Sequence, residues 1–542
     1  MRRYESLRTR RRNWPRLLSR VSIASIVCLI EFIACLTPAA AEPSAESSRA
    51  PSFVVRLPAE RPFAPCDARV FVFCSERAQP EPRLGPNWFH PETFFAGDVK
   101  QLEPRREVTI GDGADGFPDV LSRLPAGKYH VQALVDRDLD HHHPGRAPGN
   151  WYSEVMEIDF DPRGGVAATL VASEEIPPAD PFPETELVKE LVLESKLLSD
   201  FHGRVVRQRG AVVLPASYAA DPQRRYPVLY IIPGFGGSYR SALRYQEAAV
   251  EAGPGETEFI RVVVEGDCKW GHHVFADSAT NGPRGASFVR EYVPLVDEKF
   301  RTIAAPTARF LTGHSSGGWA SLWLQVSYPD DFGGVWSTSP DPVDFRDFQQ
   351  VDLYEQPPLS LYIDERGNRR PIARQGTEPV LWFDSFGLMD DVIGRGGQLR
   401  SFEAVFSPLG PDGQPARLWD RRTGRINHEV MRAWRSYDIR LKLEENWAEL
   451  GPRLAGKLHI WTGELDTFYL EGAVEKLASA LAALGSDAQV TVLADRNHGN
   501  VQTPELSREI RRSMTTALLR HHADVAVAKE PVEGASPRSR LP

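Results

Sequence analysis

The segment Arg309–Gly318 joins a short apolar run, Arg-Phe-Leu-Thr, to Gly-His-Ser-Ser-Gly-Gly, and Trp319–Tyr328 then sets apolar side chains at helical spacing. A Gly-x-Ser-x-Gly motif between a strand and a helix constrains a fold tightly, because the serine must sit on a turn too sharp for ordinary backbone. Gly313 and Gly317 supply the room that side chains would take. An ordinary glycine-rich turn is the alternative reading; the flanking strand and helix patterns favour the elbow, with Ser315 as the exposed nucleophile.

The surrounding chain supplies the sheet such an elbow requires. Val188–Leu193 and Arg204–Leu214 read as paired strands, and Tyr226–Ile232 is a continuous apolar strand ending in Pro233-Gly-Phe-Gly-Gly-Ser238. Strand and helix patterns then alternate: Phe259–Val264, helix Gly285–Phe300, Ala308–Gly313, helix Trp319–Tyr328, Gly334–Ser339. This alternation predicts a mostly parallel sheet covered by helices on both faces. It stops at Asp341 and resumes at Lys457–Gly463, with helix Glu471–Leu484 and strand Ala488–Leu493, so residues 341–456 read as an insertion. Its aromatic residues, including Phe345, Phe386, Trp419 and Trp434, suit either a lid-like substrate wall or a small core of its own.

Upstream, residues 52–175 carry short strand patterns at Phe53–Leu57, Ala68–Phe73, Gly127–Val135 and Val166–Val171, which predict a β-rich, sandwich-like domain. The proline-dense stretch 176–187 reads as a stiff linker separating two cores, with the catalytic domain running from 188 to 520 and a polar tail, expected to be disordered, over 521–542. Residues 1–41 combine eight arginines, an apolar run Val21–Leu36 and Ala39-Ala-Ala41, the pattern of a signal peptide followed by a linker over 42–51. A retained membrane anchor is disfavoured because the run is short and Glu31 interrupts it. The expected location is secreted or periplasmic.

Cleavage after Ala41 takes the formal net charge from −9 to −15, which argues against a nucleic-acid partner. It leaves three cysteines, Cys66, Cys74 and Cys268. A Cys66–Cys74 disulfide and unpaired buried thiols are both compatible with their spacing. Asp136–His143 alternates three acids and then runs three histidines, a pattern open to metal binding, but it lacks an EF-hand's glycine and distal glutamate and reads better as a solvated hairpin tip. No metal and no cofactor is expected.

A serine hydroxyl needs a base to become a nucleophile at neutral pH, and the base needs a carboxylate to orient it. Asp466, after the strand at 458–462, and His498, after the last strand, follow Ser315 in the order Ser, Asp, His. Glu464 and Asp341 are further acids and His428 a further base, but none combines a strand-end position with that order. Backbone N–H groups of Phe235 and Ser316 are expected to form an oxyanion hole. His272 and His273 are placed to edge the pocket, although unpartnered loop histidines are commonly surface residues.

Tyr226-Pro-Val-Leu-Tyr-Ile-Ile-Pro-Gly-Phe-Gly-Gly237, Glu291–Arg301, Thr312–Gly318 and Asn497-His-Gly499 together resemble the Putative esterase family of the α/β-hydrolase fold, which includes esterase D, feruloyl esterases, enterobactin esterases and mycolyltransferases. The resemblance covers about Val188 to Leu519. It implies a serine esterase acting on a small-molecule or polysaccharide-linked ester through Ser315, His498 and Asp466. Pro233, where many relatives carry histidine, and the long insertion depart from the family pattern. A serine peptidase of the oligopeptidase kind and a non-catalytic carbohydrate-binding protein are the alternatives.

Overall fold

The structure is a computed structural model that describes residues 50–58, 63–248, 252–355 and 360–527. The expected signal peptide, nearly all of the linker after it and the tail from residue 528 lie outside the described residues.

Eight strands form the central sheet: β1 (Val188–Glu194), β2 (Arg207–Val213), β3 (Val228–Ile232), β4 (Ile260–Val264), β5 (Arg309–His314), β6 (Gly334–Thr338), β7 (Leu458–Gly463) and β8 (Gln489–Leu493). Their order is β1-β2-β4-β3-β5-β6-β7-β8. β2 pairs antiparallel with both β1 and β4, and every pairing from β4 to β8 is parallel. Composition agrees with the interior place of β3, which is Val-Leu-Tyr-Ile-Ile and is buried nearly throughout, as a strand covered on both faces must be. Helix α1 (Ser316–Ser327) follows β5, and every residue of it from Ser316 to Val326 is buried.

Between β6 and β7 lie a hairpin (Pro371–Gln375 with Glu378–Trp382) and helices α2 (Phe383–Ile393), α3 (Gln398–Phe406) and α4 (Ile439–Leu454). Phe345, Phe386, Trp419 and Trp434 are all buried here. They join the same apolar cluster as β3 and α1 rather than a separate core.

The N-terminal strands make two sheets. One has three strands, Ser52–Arg56 between Glu107–Gly111 and Val166–Val171; the other has seven, centred on Cys66–Ser75, Thr93–Leu102 and Gly127–Asp136. Side-chain alternation splits the central strand Arg69-Val-Phe-Val-Phe-Cys74 between two cores. Val70, Val72 and Cys74 face Phe53, Val55, Ile110 and Leu170 of the small sheet. Phe71 and Phe73, with Phe94, Ala96 and Phe117, belong to the cluster that contains the catalytic core. Helix α2 packs directly on the strands Thr93–Leu102 and Asp115–Phe117.

The linker expectation therefore needs correction: residues 176–187 do not separate two cores, and Ile176 and Phe182 are themselves buried. Polar contacts cross the same boundary. Arg69, 3% exposed, donates from Nε and Nη2 to the carbonyl of Val392 in the last turn of α2, at 3.2 and 2.9 Å. Lys269 Nζ meets Asp136 at 2.5 Å.

Asp136–His143 is solvent-exposed at Leu139–His141, as a tip is, but tied down at its ends. Its acids point to different partners: Asp136 to Lys269 and Asn150, Asp138 to the backbone of Asp140 and His141, Asp140 to Arg204, while His142 Nδ1 lies 2.5 Å from Asp267. Nor do Cys66 and Cys74 pair. They sit at opposite ends of one strand, about 26 Å apart by strand rise, where a disulfide requires Cα atoms within about 7 Å. Among the described residues no helix is long and apolar enough to cross a membrane.

Candidate active site

Ser315 stands between β5 and α1 at φ 59°, ψ −126°, a conformation that costs a non-glycine residue about 1–3 kcal/mol. The surroundings impose it. The Ser315 N–H donates to the Thr338 carbonyl of β6 at 3.1 Å, and the Ser315 carbonyl accepts from Trp319 one turn into the helix. A Cβ on Gly313 would collide with the Gly317 carbonyl, and one on Gly317 with the Ile232 carbonyl of β3. The two glycines of the motif are therefore steric requirements of the turn.

Asp466 and His498 come from the ends of β7 and β8. Asp466 is fully buried; its Oδ1 accepts the Phe468 N–H at 2.9 Å and its Oδ2 lies 2.8 Å from His498 Nδ1. That pairing places the imidazole proton on Nδ1 and leaves Nε2 as an acceptor. Phe468 stands edge-on to the imidazole with ring centroids 5.0 Å apart, and the His314 ring lies tilted against it at 4.5 Å. Burial pushes the pKa of His314 down to about 4, so it is a neutral neighbour.

Ser315, His498 and Phe235 line one cavity of about 370 Å³. Among the described residues no hydrogen bond joins Ser315 Oγ to His498; the hydroxyl lies 3.5 Å from Asp341 Oδ1 instead. Asp341 accepts a 2.5 Å hydrogen bond from Ser316 Oγ, is 5% exposed, and makes no ion pair among the described residues. Burial pushes its pKa up to about 6 against the pull of the Ser316 hydroxyl.

The loop after β3 lies against Ser315: a Cβ on Gly234 would sit 3.3 Å from Ser315 Cβ. Gly236 has φ +74°, and the Gly237 N–H closes the turn onto the Gly234 carbonyl at 2.9 Å. Among the described residues nothing accepts the N–H of Phe235 or Ser316. His272 is buried beneath this loop rather than at the surface. It donates from Nε2 to the Pro233 carbonyl at 2.9 Å while its Nδ1 accepts from Val274, and burial holds its pKa near 4. His273, equally buried, accepts the Phe275 N–H. Glu464 is exposed, and neither it nor His428 reaches the cavity.

The cavity walls include residues that the sequence did not single out. Trp88, from the N-terminal sheets, has its ring 5.6 Å from Phe235, 5.1 Å from Phe386 and 6.3 Å from Phe468. Ile372, Leu381, Leu399 and Phe402 complete an apolar face. No periodicity marks Trp88, which lies in a loop, and only the packing of sheet against α2 brings it to the cavity that Ser315 lines. Among the described residues no three His, Cys, Asp or Glu side chains converge to hold a metal ion.

A sheet of this order, with a serine at the β5–α1 turn and an Asp–His pair after β7 and β8, defines an α/β-hydrolase. The family described as Putative esterase matches residues 206–490, and the chain belongs to it: it is a serine hydrolase that acts on esters. Comparison with curated proteins gave no match. Among solved structures, the chain is similar to an S-formylglutathione hydrolase from Agrobacterium tumefaciens (14% identity, 63% of this chain and 98% of that one, TM-score 0.35). It is also similar to FphF, a fluorophosphonate-binding serine hydrolase from Staphylococcus aureus (14%, 61% and 98%, TM-score 0.35). A third is the ferulic acid esterase AmCE1/Fae1A from Anaeromyces mucronatus (13%, 63% and 97%, TM-score 0.33).

Proposed function

We propose that the protein is an exported, cofactor-independent carboxylesterase whose catalytic triad is Ser315, His498 and Asp466. The observation that carries this reading is the 2.8 Å contact of His498 Nδ1 with buried Asp466, in a cavity that Ser315 shares. Rotation of the serine side chain from Asp341 to His498 Nε2 readies the nucleophile. Nε2 then takes the hydroxyl proton as Oγ attacks the ester carbonyl, and the N–H groups of Phe235 and Ser316 hold the oxyanion. The imidazolium, stabilised by Asp466, returns the proton to the departing alkoxide, which leaves as the alcohol. Water repeats the sequence on the acyl-serine and releases the acid, restoring Ser315.

The apolar walls around Phe386, Leu399 and Phe402 suit a bulky apolar acyl group. The N-terminal sheets are read as a sandwich-like module that completes those walls. The test is labelling with a fluorophosphonate. The expected result is one modified residue, Ser315, with labelling and p-nitrophenyl acetate hydrolysis both lost in Ser315→Ala and both unchanged by EDTA. Hydrolysis retained in Ser315→Ala would overturn the assignment.

A further inference from the structure

A second cavity, of about 1000 Å³, opens between the N-terminal strands and the catalytic part and shares Gly237 of the oxyanion loop with the first. Eight arginine and lysine side chains line it against five aspartates and glutamates, on a chain whose net charge is −9. Four of the eight are ion-paired: Arg204 with Asp140, Arg207 with Glu194, Arg209 with Glu190 and Lys269 with Asp136.

Arg284 is different. It is 9% exposed, its Nε donates to the Asn281 carbonyl at 3.2 Å, and among the described residues no carboxylate pairs with it. The acids whose fields reach it, Asp140 and Asp267, are held by Arg204 and His142. Beside it on the same turn, Asn281 is 3% exposed with an Nδ2 that has no acceptor, and the buried Thr280 hydroxyl also lacks a partner. Arg284, Asn281 and Thr280 all line the cavity. Buried donors are almost always satisfied, and a buried guanidinium needs a counter-charge. Here three neighbouring side chains want one acceptor, and water would not neutralise the cation. Trp270, half-buried, adds aromatic surface to the same cavity, beside the buried and mutually stacked Phe182 and Tyr239.

We propose that this cavity is a binding site for an acidic saccharide, whose carboxylate or sulfate group seats on Arg284 and Asn281. The site stands independently of the triad, since binding is read without turnover. Burial already weighs against the Arg284 charge and lowers its pKa. An anion in the site offsets that cost, and in its absence the arginine is a liability to the fold.

The experiment is calorimetric titration of the full chain with trigalacturonate, inorganic sulfate and uncharged maltotriose. Trigalacturonate is expected to bind, more weakly as salt rises, and maltotriose to bind at least about tenfold more weakly. Asn281→Ala and Arg284→Gln are each expected to weaken trigalacturonate by about tenfold or more. Arg284→Gln is also expected to melt no lower than wild type, an outcome a purely structural arginine would not give. Should Arg284→Gln fail to fold, Asn281→Ala carries the test alone. Equal binding of trigalacturonate and maltotriose, no binding of trigalacturonate, or unchanged binding in a folded Asn281→Ala variant would each overturn the proposal. Sulfate binding without trigalacturonate binding would overturn the saccharide.

Discussion

Two buried aspartates flank the candidate site, Asp341 in the cavity wall and Asp466 behind His498, and they differ in what they touch. Asp466 meets the imidazole and Asp341 the serine hydroxyls, so the two make separable predictions. Asp466→Asn is expected to lower kcat for aryl acetates by about four orders of magnitude, through the wrong imidazole tautomer. Asp341→Asn, nearly isosteric and still able to accept from Ser316, is expected to stay within about tenfold of wild type. Steady-state kinetics on both variants checks the assignment, and reversed magnitudes would move the triad acid to Asp341. Asp341 also sets a pH dependence of stability. Its pKa in the fold, about 6, lies above the ordinary carboxyl value, so the folded state holds the extra proton between pH 4 and 6. The stability it contributes is complete below pH 4 and is lost as pH rises through 6, an effect of roughly 3 kcal/mol. In urea unfolding, Asp341→Asn should gain on wild type between pH 4.5 and 7.5; a constant difference would remove the buried charge as the cause.

At the scale of elements, the turn between β5 and α1 fixes Ser315 by exclusion. Gly317→Ala would drive a methyl group into the β3 backbone at Ile232, and no side-chain rotation relieves a clash with a carbonyl. A loss of about 3 kcal/mol or more is expected, read from the denaturation midpoint together with fluorophosphonate labelling. The loop that carries Trp88 acts differently, on substrate rather than on the fold. Its indole faces Phe235 and Phe386, so Trp88→Ala is expected to cut kcat/KM for bulky aryl-acyl esters by about tenfold and for acetate much less. Equal losses on both substrates would mean that Trp88 supports the oxyanion loop instead of the acyl group.

At the scale of the molecule, the seven-stranded sheet is buried on both faces, and its second face closes the catalytic core. A chain beginning at Glu184 loses Phe71, Phe73 and Phe94 from that core and uncovers α2. It is expected to aggregate or to unfold at least about 10 °C earlier than the full chain, as measured by scattering and thermal melting. A soluble, fully active product would show that the shared core is dispensable. The sequence by itself determined what local pattern can encode: the alternation of strand and helix, the sharp turn at Ser315, the chain order that offered Asp466 and His498 as its partners, and strands at 127–135 and 166–171. Each is written within a few consecutive residues, where periodicity, glycine sterics and turn chemistry act. Only the tertiary structure decided which face of Val70–Cys74 met which core, that proline-rich residues 176–187 pack rather than separate, that Cys66 and Cys74 stand far apart, that Trp88 lines the cavity of Ser315, and that Asp341 meets its hydroxyl. Those outcomes depend on contacts between residues far apart in the chain, and an apolar run that is buried on both sides carries no mark of its two partners.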